Sequence, residues 1–188
     1  RTLTFPKIPK RIAIISVETS KGYQDFLNII SHNKYGFIFE LELFPALLQG
    51  DKAITSISEA LENIKTRTSE FDAVTIIRGG GGDVGLSCYD SFILASKVAR
   101  FPLPVISGIG HSTNETLVEM VTYINKITPT DVAYFFIDSF KDCLEELSML
   151  HSDFNRLVKF KLKEEQFELK ALYQKFKTQV DTLLQRHD

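Results

Sequence analysis

Four short apolar runs, separated by segments with helical periodicity, constrain the fold of this chain more than any other feature. The predicted strands are residues 11–17, 37–44, 73–77 and 104–109, and the predicted helices between them are residues 22–31, 51–67 and 87–99. Near-continuous apolar strands that alternate with helical crossovers are typical of a parallel sheet that is buried on both faces. The sequence therefore predicts an α/β fold with a parallel, Rossmann-like sheet of about four or more strands covered by helices.

The two ends of the chain depart from this pattern. Pro6 and Pro9, which stand among lysines, favour an extended linker over residues 1–10. Residues 139–188 contain neither Gly nor Pro and carry an imperfect apolar stripe, which predicts a C-terminal arm of one or two long helices. Because such a helix alone would leave its stripe in water, we expect the arm to pack against a partner, a second copy or itself. The α/β domain is then expected at residues 11–138.

Composition limits the class of protein and its surroundings. A formal net charge of −2, with 44% hydrophobic and 24% charged residues, is typical of a soluble globular protein. This charge gives no global basic field, although a local basic cleft on such a protein can still bind a polyanion. Cys88 and Cys143 have no metal-ligand spacing, so we expect free thiols in a reducing cytoplasm. The apolar runs are too short to cross a bilayer, so no membrane association is expected.

A run of one arginine and four glycines follows the third predicted strand. The residues are Arg78, Gly79, Gly80, Gly81 and Gly82. A glycine-rich turn between a strand and a helix exposes backbone N–H groups, and the helix N-terminus adds partial positive charge. The arginine adds a permanent, forked cation, so the turn predicts a phosphate site. The alternative is a structural ion pair between this arginine and Asp83 or Asp90.

A histidine follows the fourth predicted strand, at the edge of a parallel sheet where ligands bind. His111 comes after Gly108-Ile109-Gly110, a sequence that lets the backbone turn sharply and direct the imidazole outward. An imidazole there can transfer protons near neutral pH. The alternative is a histidine that only caps the turn. Asp25, near the start of the first predicted helix, either complements the helix dipole or orients a water or His111.

Motifs of other chemistries are weak or missing. Residues 80–85 match G-x-G-x-x-G by letter, but they follow the third strand, and no acidic residue ends the next strand to hold a ribose. The sequence contains no Gly-Lys-Ser/Thr, no His-Glu-x-x-His and no Gly-x-Ser-x-Gly. No cluster of Cys and His indicates a structural zinc, so we expect no metal ligands in the site.

Five stretches, taken in order, resemble the large-subunit family of exodeoxyribonuclease VII. They are Pro-Lys-Arg-Ile-Ala-Ile-Ile-Ser (9–16), Gln-Gly-Asp-Lys-Ala (49–53), Arg-Gly-Gly-Gly-Gly (78–82), Gly-Ile-Gly-His (108–111) and Thr-Pro-Thr (128–130). The resemblance is clear over residues 6–138 and extends to the helical arm by character only. It implies an exonuclease that cleaves single-stranded DNA into oligonucleotides with 5′-phosphates.

The resemblance also implies partners and surroundings. Members of the family carry an N-terminal OB-fold that binds single-stranded DNA, and this OB-fold is not part of the 188 residues. A long helical region binds copies of a small subunit, so the C-terminal arm is expected to do so, with self-association as a further possibility. No cofactor is strictly required; Mg²⁺ is compatible with the family but is not implied by this sequence. The expected location is the cytoplasm.

Matching by position carries the functional residues of the family onto this chain. The family's aspartate, arginine and histidine correspond to Asp25, Arg78 and His111, and the glycines after the arginine correspond to the phosphate cradle. The family commonly has an acidic residue where this chain has Asn114, and the resemblance leaves open whether Glu115 or Glu119 supplies the missing carboxylate. Two non-catalytic functions stay open beside hydrolysis, a phosphate or nucleotide sensor and a scaffold in which the arm matters most.

Overall fold

The computed structural model describes residues 3–79, 85–110 and 115–185. It divides into two compact units, Arg1–Cys143 and Leu144–Asp188. The first unit contains a sheet with helices on both faces, and the second consists of the later turns of the last helix. Because the candidate site residues all belong to the first unit, its architecture is the one that positions them.

Five strands form one parallel sheet in the first unit. They are β1 (Arg11–Ser16), β2 (Glu40–Pro45), β3 (Ala73–Ile77), β4 (Val105–Gly108) and β5 (Ile124–Lys126). Their order is β2-β1-β3-β4-β5, and every neighbouring pair is parallel. The prediction of a parallel α/β sheet is therefore confirmed, with one strand more than the four apolar runs indicated.

Among the described residues, five α-helices connect and cover these strands. They are α1 (Lys21–Ser31), α2 (Ala53–Lys65), α3 (Phe92–Ala99), α4 (Leu117–Val121) and α5 (Pro129–Gln185), with short 3₁₀ turns at Thr68–Glu70 and Ser87–Asp90. The helix α5 is 57 residues long and begins with proline, which suits the first helical position because its missing N–H would have no partner there.

Alternate side chains of the strands point into two separate cores. In β1, Ile12 and Ile14 pack with α1 and the first turns of α5, whereas Ala13 and Ile15 pack with α2, α3 and α4. All four of these side chains are fully buried. This two-sided burial explains why β1 and β3 are almost continuously apolar and were recognisable in the sequence.

The strand order creates a switch point between β1 and β3. The chain leaves β1 toward β2 on one side and later leaves β3 toward β4 on the other. In open parallel sheets, the crevice at the carboxyl ends of the two strands beside such a switch is the usual ligand site. The connection that begins with Arg78 starts at the end of β3, and Ser16 ends β1, so both lie at this crevice.

Three parts of the sequence fold differently from their predicted pattern. Residues 37–39 precede β2, because the strand pairing with β1 begins only at Glu40 and Phe37 N–H is bound to the Asn33 side chain. Residues 87–90 form a 3₁₀ turn, and α3 starts after Ser91, whose hydroxyl accepts the Leu94 N–H. The prediction of one continuous helix over residues 87–99 is therefore wrong at its start, and α4 and β5 were not predicted.

The second unit is helical throughout its described residues and exposes many large apolar side chains. They are Leu144, Leu147, Met149, Leu150, Phe154, Leu157, Val158, Phe160, Leu162, Phe167, Leu169, Leu172, Tyr173, Phe176 and Leu183. Exposed apolar area of this extent is characteristic of surfaces that bind another protein. Among the helices that the structure describes, none combines the length and the apolar character that a membrane crossing requires.

Candidate active site at the carboxyl edge of the sheet

Arg78 lies at the end of β3 with only 5% of its surface exposed. Its backbone N–H donates to the Gly108 carbonyl at 3.0 Å, which continues the pairing of β3 with β4 by one residue. A guanidinium cannot lose its charge in a protein, so this burial places a permanent cation at the ligand-binding edge. The placement fits the predicted phosphate contact, because an anion at this edge would gain a strong, poorly screened partner.

The next residue, Gly79, touches the first turn of α1 directly. A Cβ atom on Gly79 would lie 2.5 Å from Gly22 N, and a Cβ atom on Gly22 would lie 2.5 Å from Gly79 Cα and 2.8 Å from Pro129 Cγ. No side chain fits in either place, so the backbones of the two glycines pack against each other. Gly79 therefore has a packing reason to be glycine in addition to its predicted phosphate role.

Two helices begin beside this glycine contact. The Ser20 hydroxyl accepts the Tyr23 N–H and caps α1, while Thr128 and Asp131 cap each other's N–H groups at the start of α5. The Ser16 hydroxyl donates to the Ile77 carbonyl at 2.7 Å and ties the ends of β1 and β3 together. Both helix N-termini add partial positive charge near Gly79, which supports anion binding at the edge.

Residues from two loops enclose the Arg78 side chain. A Cβ atom on Gly85 would lie 3.8 Å from Arg78 Nη2 and 3.0 Å from Gln49 Cβ. Gly85 has a backbone φ of +97°, a conformation that L side chains rarely adopt. The turn after the glycine-rich segment thus needs glycine at Gly85 for both its backbone angle and its neighbours.

Cys88 and Tyr89 fasten these loops together. The Tyr89 hydroxyl donates to the Leu48 carbonyl at 3.2 Å, and Cys88 Sγ donates to the same carbonyl at 3.7 Å and to the Gly85 carbonyl at 3.5 Å. Burial raises the pKa of the Cys88 thiol and of the Tyr89 hydroxyl, and the nearby Arg78 charge partly opposes both effects. Both groups therefore keep their protons at neutral pH and act as donors.

Asp25 lies one residue farther from the start of α1 than the sequence indicated. It is the fifth residue of the helix and is exposed, and the first turn of α1 contains no acidic residue. It follows Gly22 by three residues, so its side chain starts about one turn from the contact with Gly79. A role in complementing the dipole of the first turn is thus weakened, and a role in orienting a water or His111 stays a prediction.

The carboxylates near α4 have identifiable structural partners. Glu119 is buried, accepts the Thr116 N–H at 2.8 Å and the Thr116 hydroxyl at 2.7 Å, and completes a capping box. Glu115 accepts from Asn125 Nδ2 at 3.2 Å, and Asp90 accepts the Leu117 N–H at 3.1 Å. Because Glu119 caps α4, Glu115 is the better candidate for the carboxylate that is missing at Asn114.

Several predicted site residues lie outside the described residues. They are Gly80, Gly81, Gly82, His111 and Asn114, together with Asp83 as the alternative partner of Arg78. Gly110, which immediately precedes His111, has a backbone φ of +124° and no neighbour within 4 Å of an added Cβ. Gly110 thus has a backbone angle that L side chains rarely adopt, and the sharp turn that we expected before the histidine stays a prediction.

The structure brings together Arg78, Gly79 and the start of α1, and adds residues that sequence reasoning missed. The sequence analysis gave Gln49 no role in the site, and the helix predicted over residues 87–99 included Cys88 and Tyr89. The useful signal was Gly85, an isolated glycine close to the glycine-rich run. Across residues 3–79, 85–110 and 115–185, no group of three or more His, Cys, Asp or Glu side chains is arranged to hold a metal.

A groove lies elsewhere in the first unit, at the C-terminal end of α1. Its volume is about 460 Å³, and its lining includes Asn28, His32, Tyr35, Tyr134 and Asp138. None of the residues that surround Arg78 contributes to it. Because the groove lacks a buried charged group and lies away from the switch point, we regard the edge beside Arg78 as the candidate active site.

Comparison with known proteins shows which family this chain resembles. The family described as "Exonuclease VII, large subunit" matches residues 1–188. The exodeoxyribonuclease 7 large subunit of Pediococcus pentosaceus is 31% identical over 98% of this chain, and that of Lactiplantibacillus plantarum is 34% identical over 76%. The same subunit from Campylobacter jejuni is 31% identical over 85% of the chain.

The chain spans only 43%, 31% and 40% of the lengths of these three relatives. A solved structure that contains the yeast Spc42 trimeric coiled coil aligns with 88% of this chain and 96% of its own, but its TM-score of 0.35 and identity of 18% are too low to bear on the fold. The family match over residues 1–188 is decisive: the chain belongs to the exonuclease VII large-subunit family.

Proposed function

We propose that this chain is the catalytic part of an exodeoxyribonuclease VII large subunit, which hydrolyses phosphodiester bonds of single-stranded DNA and releases oligonucleotides with 5′-phosphates. The observation that carries the proposal is the buried guanidinium of Arg78 at the switch point of the sheet. The adjoining N-termini of α1 and α5 add positive potential at the same edge. The names of the relatives describe an exodeoxyribonuclease, while the single-stranded substrate and the 5′-phosphate products are what the resemblance to the family implies.

Arg78 and the backbone N–H groups of Gly79, Gly80, Gly81 and Gly82 would hold the scissile phosphate. Fixed donors of this kind stabilise the charge that grows on the phosphoryl oxygens, because they are oriented before the reaction begins. Without an obligatory metal, the protein's own cations would supply the charge that an ion provides in other nucleases.

His111 would act as general acid or general base, with Asp25 orienting it or the attacking water. Asn114 would hydrogen-bond to the substrate or to the imidazole. Proton transfer by a positioned histidine contributes about a hundredfold to ten-thousandfold to the rate. The burial of Arg78 and the positive φ of Gly110, just before His111, support this arrangement.

The decisive experiment compares Arg78→Ala, His111→Ala and Arg100→Ala in the complete large subunit assembled with its small subunit. Removing either proposed group should lower the cleavage of single-stranded DNA by about a hundredfold or more. Arg100 is an exposed arginine after α3 and serves as the control, with an expected rate close to wild type. Cleavage at the wild-type rate by the Arg78 or the His111 variant would refute the role given to that residue.

The assembly is part of the same proposal. The exposed apolar side chains of residues 144–183 support binding of the small subunit through the C-terminal helix, with self-association as the alternative. A cytoplasmic location fits a nuclease that acts on cellular DNA and a chain with two free cysteines, Cys88 and Cys143.

A non-catalytic phosphate or nucleotide sensor is the second candidate. It is favoured by the amide of Asn114 at the position where the family commonly carries an acid. Under this function, the complete subunit would bind mononucleotides in calorimetry yet show no cleavage of single-stranded DNA after assembly with its partner. Cleavage that disappears in the His111→Ala variant would exclude it.

A further inference from the structure

Gln49 occupies a loop position that is fixed on both sides. The carbonyl of the preceding Leu48 accepts hydrogen bonds from the buried Tyr89 hydroxyl at 3.2 Å and from Cys88 Sγ at 3.7 Å. The following Gly50 has a backbone φ of +81°, and its carbonyl accepts the Ala53 N–H at 3.0 Å as α2 begins. The residues on either side therefore hold the backbone of Gln49 in place.

The Gln49 amide oxygen and the Arg78 guanidinium both lie close to Gly85. From the position that a Cβ atom would take on Gly85, Gln49 Oε1 is 3.5 Å away and Arg78 Nη2 is 3.8 Å away. The absence of a side chain on Gly85 is what leaves this space to the amide and the guanidinium. Gln49 comes from the loop after β2, whereas Arg78 comes from the loop after β3.

The two side chains differ in burial and in charge. Arg78 is buried and cationic, whereas Gln49 is exposed and neutral. A neutral amide offers two N–H donors to an incoming anion and adds no negative charge beside the arginine. A carboxylate at the same position would pair with the arginine and repel a phosphate.

We propose that Gln49 is a further substrate-binding residue, whose amide donates to an oxygen of the same phosphate group that Arg78 holds. This inference rests on the proposed function, because it takes the ligand of Arg78 to be a phosphate of single-stranded DNA. It assigns the β2–α2 loop to the binding site and gives Tyr89 and Cys88 the task of holding that loop beside the arginine.

The test measures the binding of fluorescein-labelled oligo(dT), made with cleavage-resistant phosphorothioate linkages, to the complete assembled enzyme by anisotropy. Gln49→Glu should weaken binding about tenfold, and Gln49→Ala about threefold, since the first adds repulsion to the loss of a donor. The matched control is Asn63→Asp, which adds the same charge at an exposed amide of α2, outside the proposed small-subunit interface, and should bind like wild type. Arg78→Ala, measured alongside, reports on the phosphate site itself.

Lowering the pH separates a charge effect from a disturbed loop. A protonated Glu is close to Gln in shape, so the binding deficit of Gln49→Glu should shrink as the pH falls toward the usual glutamate pKa of about 4.3. Because Gln49 is exposed, both variants should keep the wild-type melting temperature. If the glutamate variant is unstable, binding by the alanine variant tests the role of Gln49 instead.

The outcomes distinguish this inference from the function on which it rests. Wild-type binding by both Gln49 variants, together with weakened binding by Arg78→Ala, overturns the role of Gln49 alone. Wild-type binding by the Arg78 variant as well overturns the phosphate site.

Discussion

At the scale of single residues, the stretch of arginine and glycines after β3 meets two separate requirements. One is the predicted binding of a phosphate, and the other is the close packing of Gly79 against Gly22. The pairing of arginine with glycine after β3 was recognisable from residue types alone, because a fixed cation beside bare peptide groups suits a phosphate. The packing of Gly79 against Gly22 was not recognisable, since these two positions are 57 residues apart in the sequence and no local pattern connects them. For the same reason, the sequence could not show that Gln49 and Arg78 both lie close to Gly85.

Replacing Gly22 with alanine tests the close approach of α1 to the end of β3. The new Cβ would lie 2.5 Å from Gly79 Cα and 2.8 Å from Pro129 Cγ, so we expect a loss of about 3 kcal/mol in the free energy of unfolding. Gly36→Ala is the control: its φ of +70° is unfavourable for alanine, but nothing lies within 4 Å, and its cost should be about 1 kcal/mol. Urea unfolding measures both. A Gly22→Ala variant as stable as wild type would contradict the packing.

At the scale of helices and strands, the sequence was most informative where an element is buried on both sides. Strand β3 was predicted with the bounds that the structure shows, Ala73–Ile77, because all five of its residues are buried. The start of β2 was misplaced, since the alternating apolar residues before Glu40 pack on aromatic rings instead of pairing with β1; Phe37 and Phe39 both contact Phe140. The three-residue β5 is too short for any periodicity to reveal it.

The starts of β1 and β3 are joined by one carboxylate whose effect depends on pH. Asp72 accepts from the Arg11 guanidinium at 2.7 Å and from the backbone N–H groups of Arg11 and Lys10. Burial alone would raise the pKa of this carboxyl, but the hydrogen bonds from Arg11 outweigh burial and hold the pKa below its usual value. A depressed pKa means that the stabilisation is present above the pKa of the unfolded chain and is lost as pH falls through the folded pKa.

We therefore expect Asp72→Asn to lower the free energy of unfolding by about 2 kcal/mol at neutral pH. The difference from wild type should decrease in acid, since protonation removes the same charge from the wild-type protein. Asp142→Asn, at an exposed position of α5, is the control and should leave stability unchanged at every pH. Unfolding in urea across a pH series provides the measurement, and a difference that persists below the folded pKa would argue against the ionic contribution.

At the scale of the whole molecule, the sequence distinguished an α/β body from a helical arm, although it left the arm as one or two helices. The structure shows a single helix, α5, that begins in the first unit and continues through the described part of the second. What covers the apolar side chains of the second unit was beyond the reach of the sequence, because an exposed stripe specifies the character of a partner and not its identity.

The proposed assembly makes a prediction about this stripe. Leu147, Phe154 and Leu157 are exposed and spaced to lie along one side of α5, so changing all three to Gln should weaken binding of the small subunit by more than tenfold. Ser152→Gln, Asn155→Gln and Lys159→Gln together form the matched control on polar positions of the same helix. Light scattering and co-purification measure assembly, and an apolar triple variant that assembles normally would exclude this segment as the interface.

The first turns of α5 contribute Val132, Ala133 and Phe136 to the second core of the sheet, and a reciprocal cap fixes the start of the helix at Thr128. Nucleation, the formation of the first hydrogen-bonded turn, is the unfavourable step for any isolated helix. In α5, packing on the sheet already holds this first turn in place. Each later turn of α5 therefore only has to be added to an existing one. A long helix can in this way stay ordered before its partner arrives, provided that the sheet beneath its beginning has folded first.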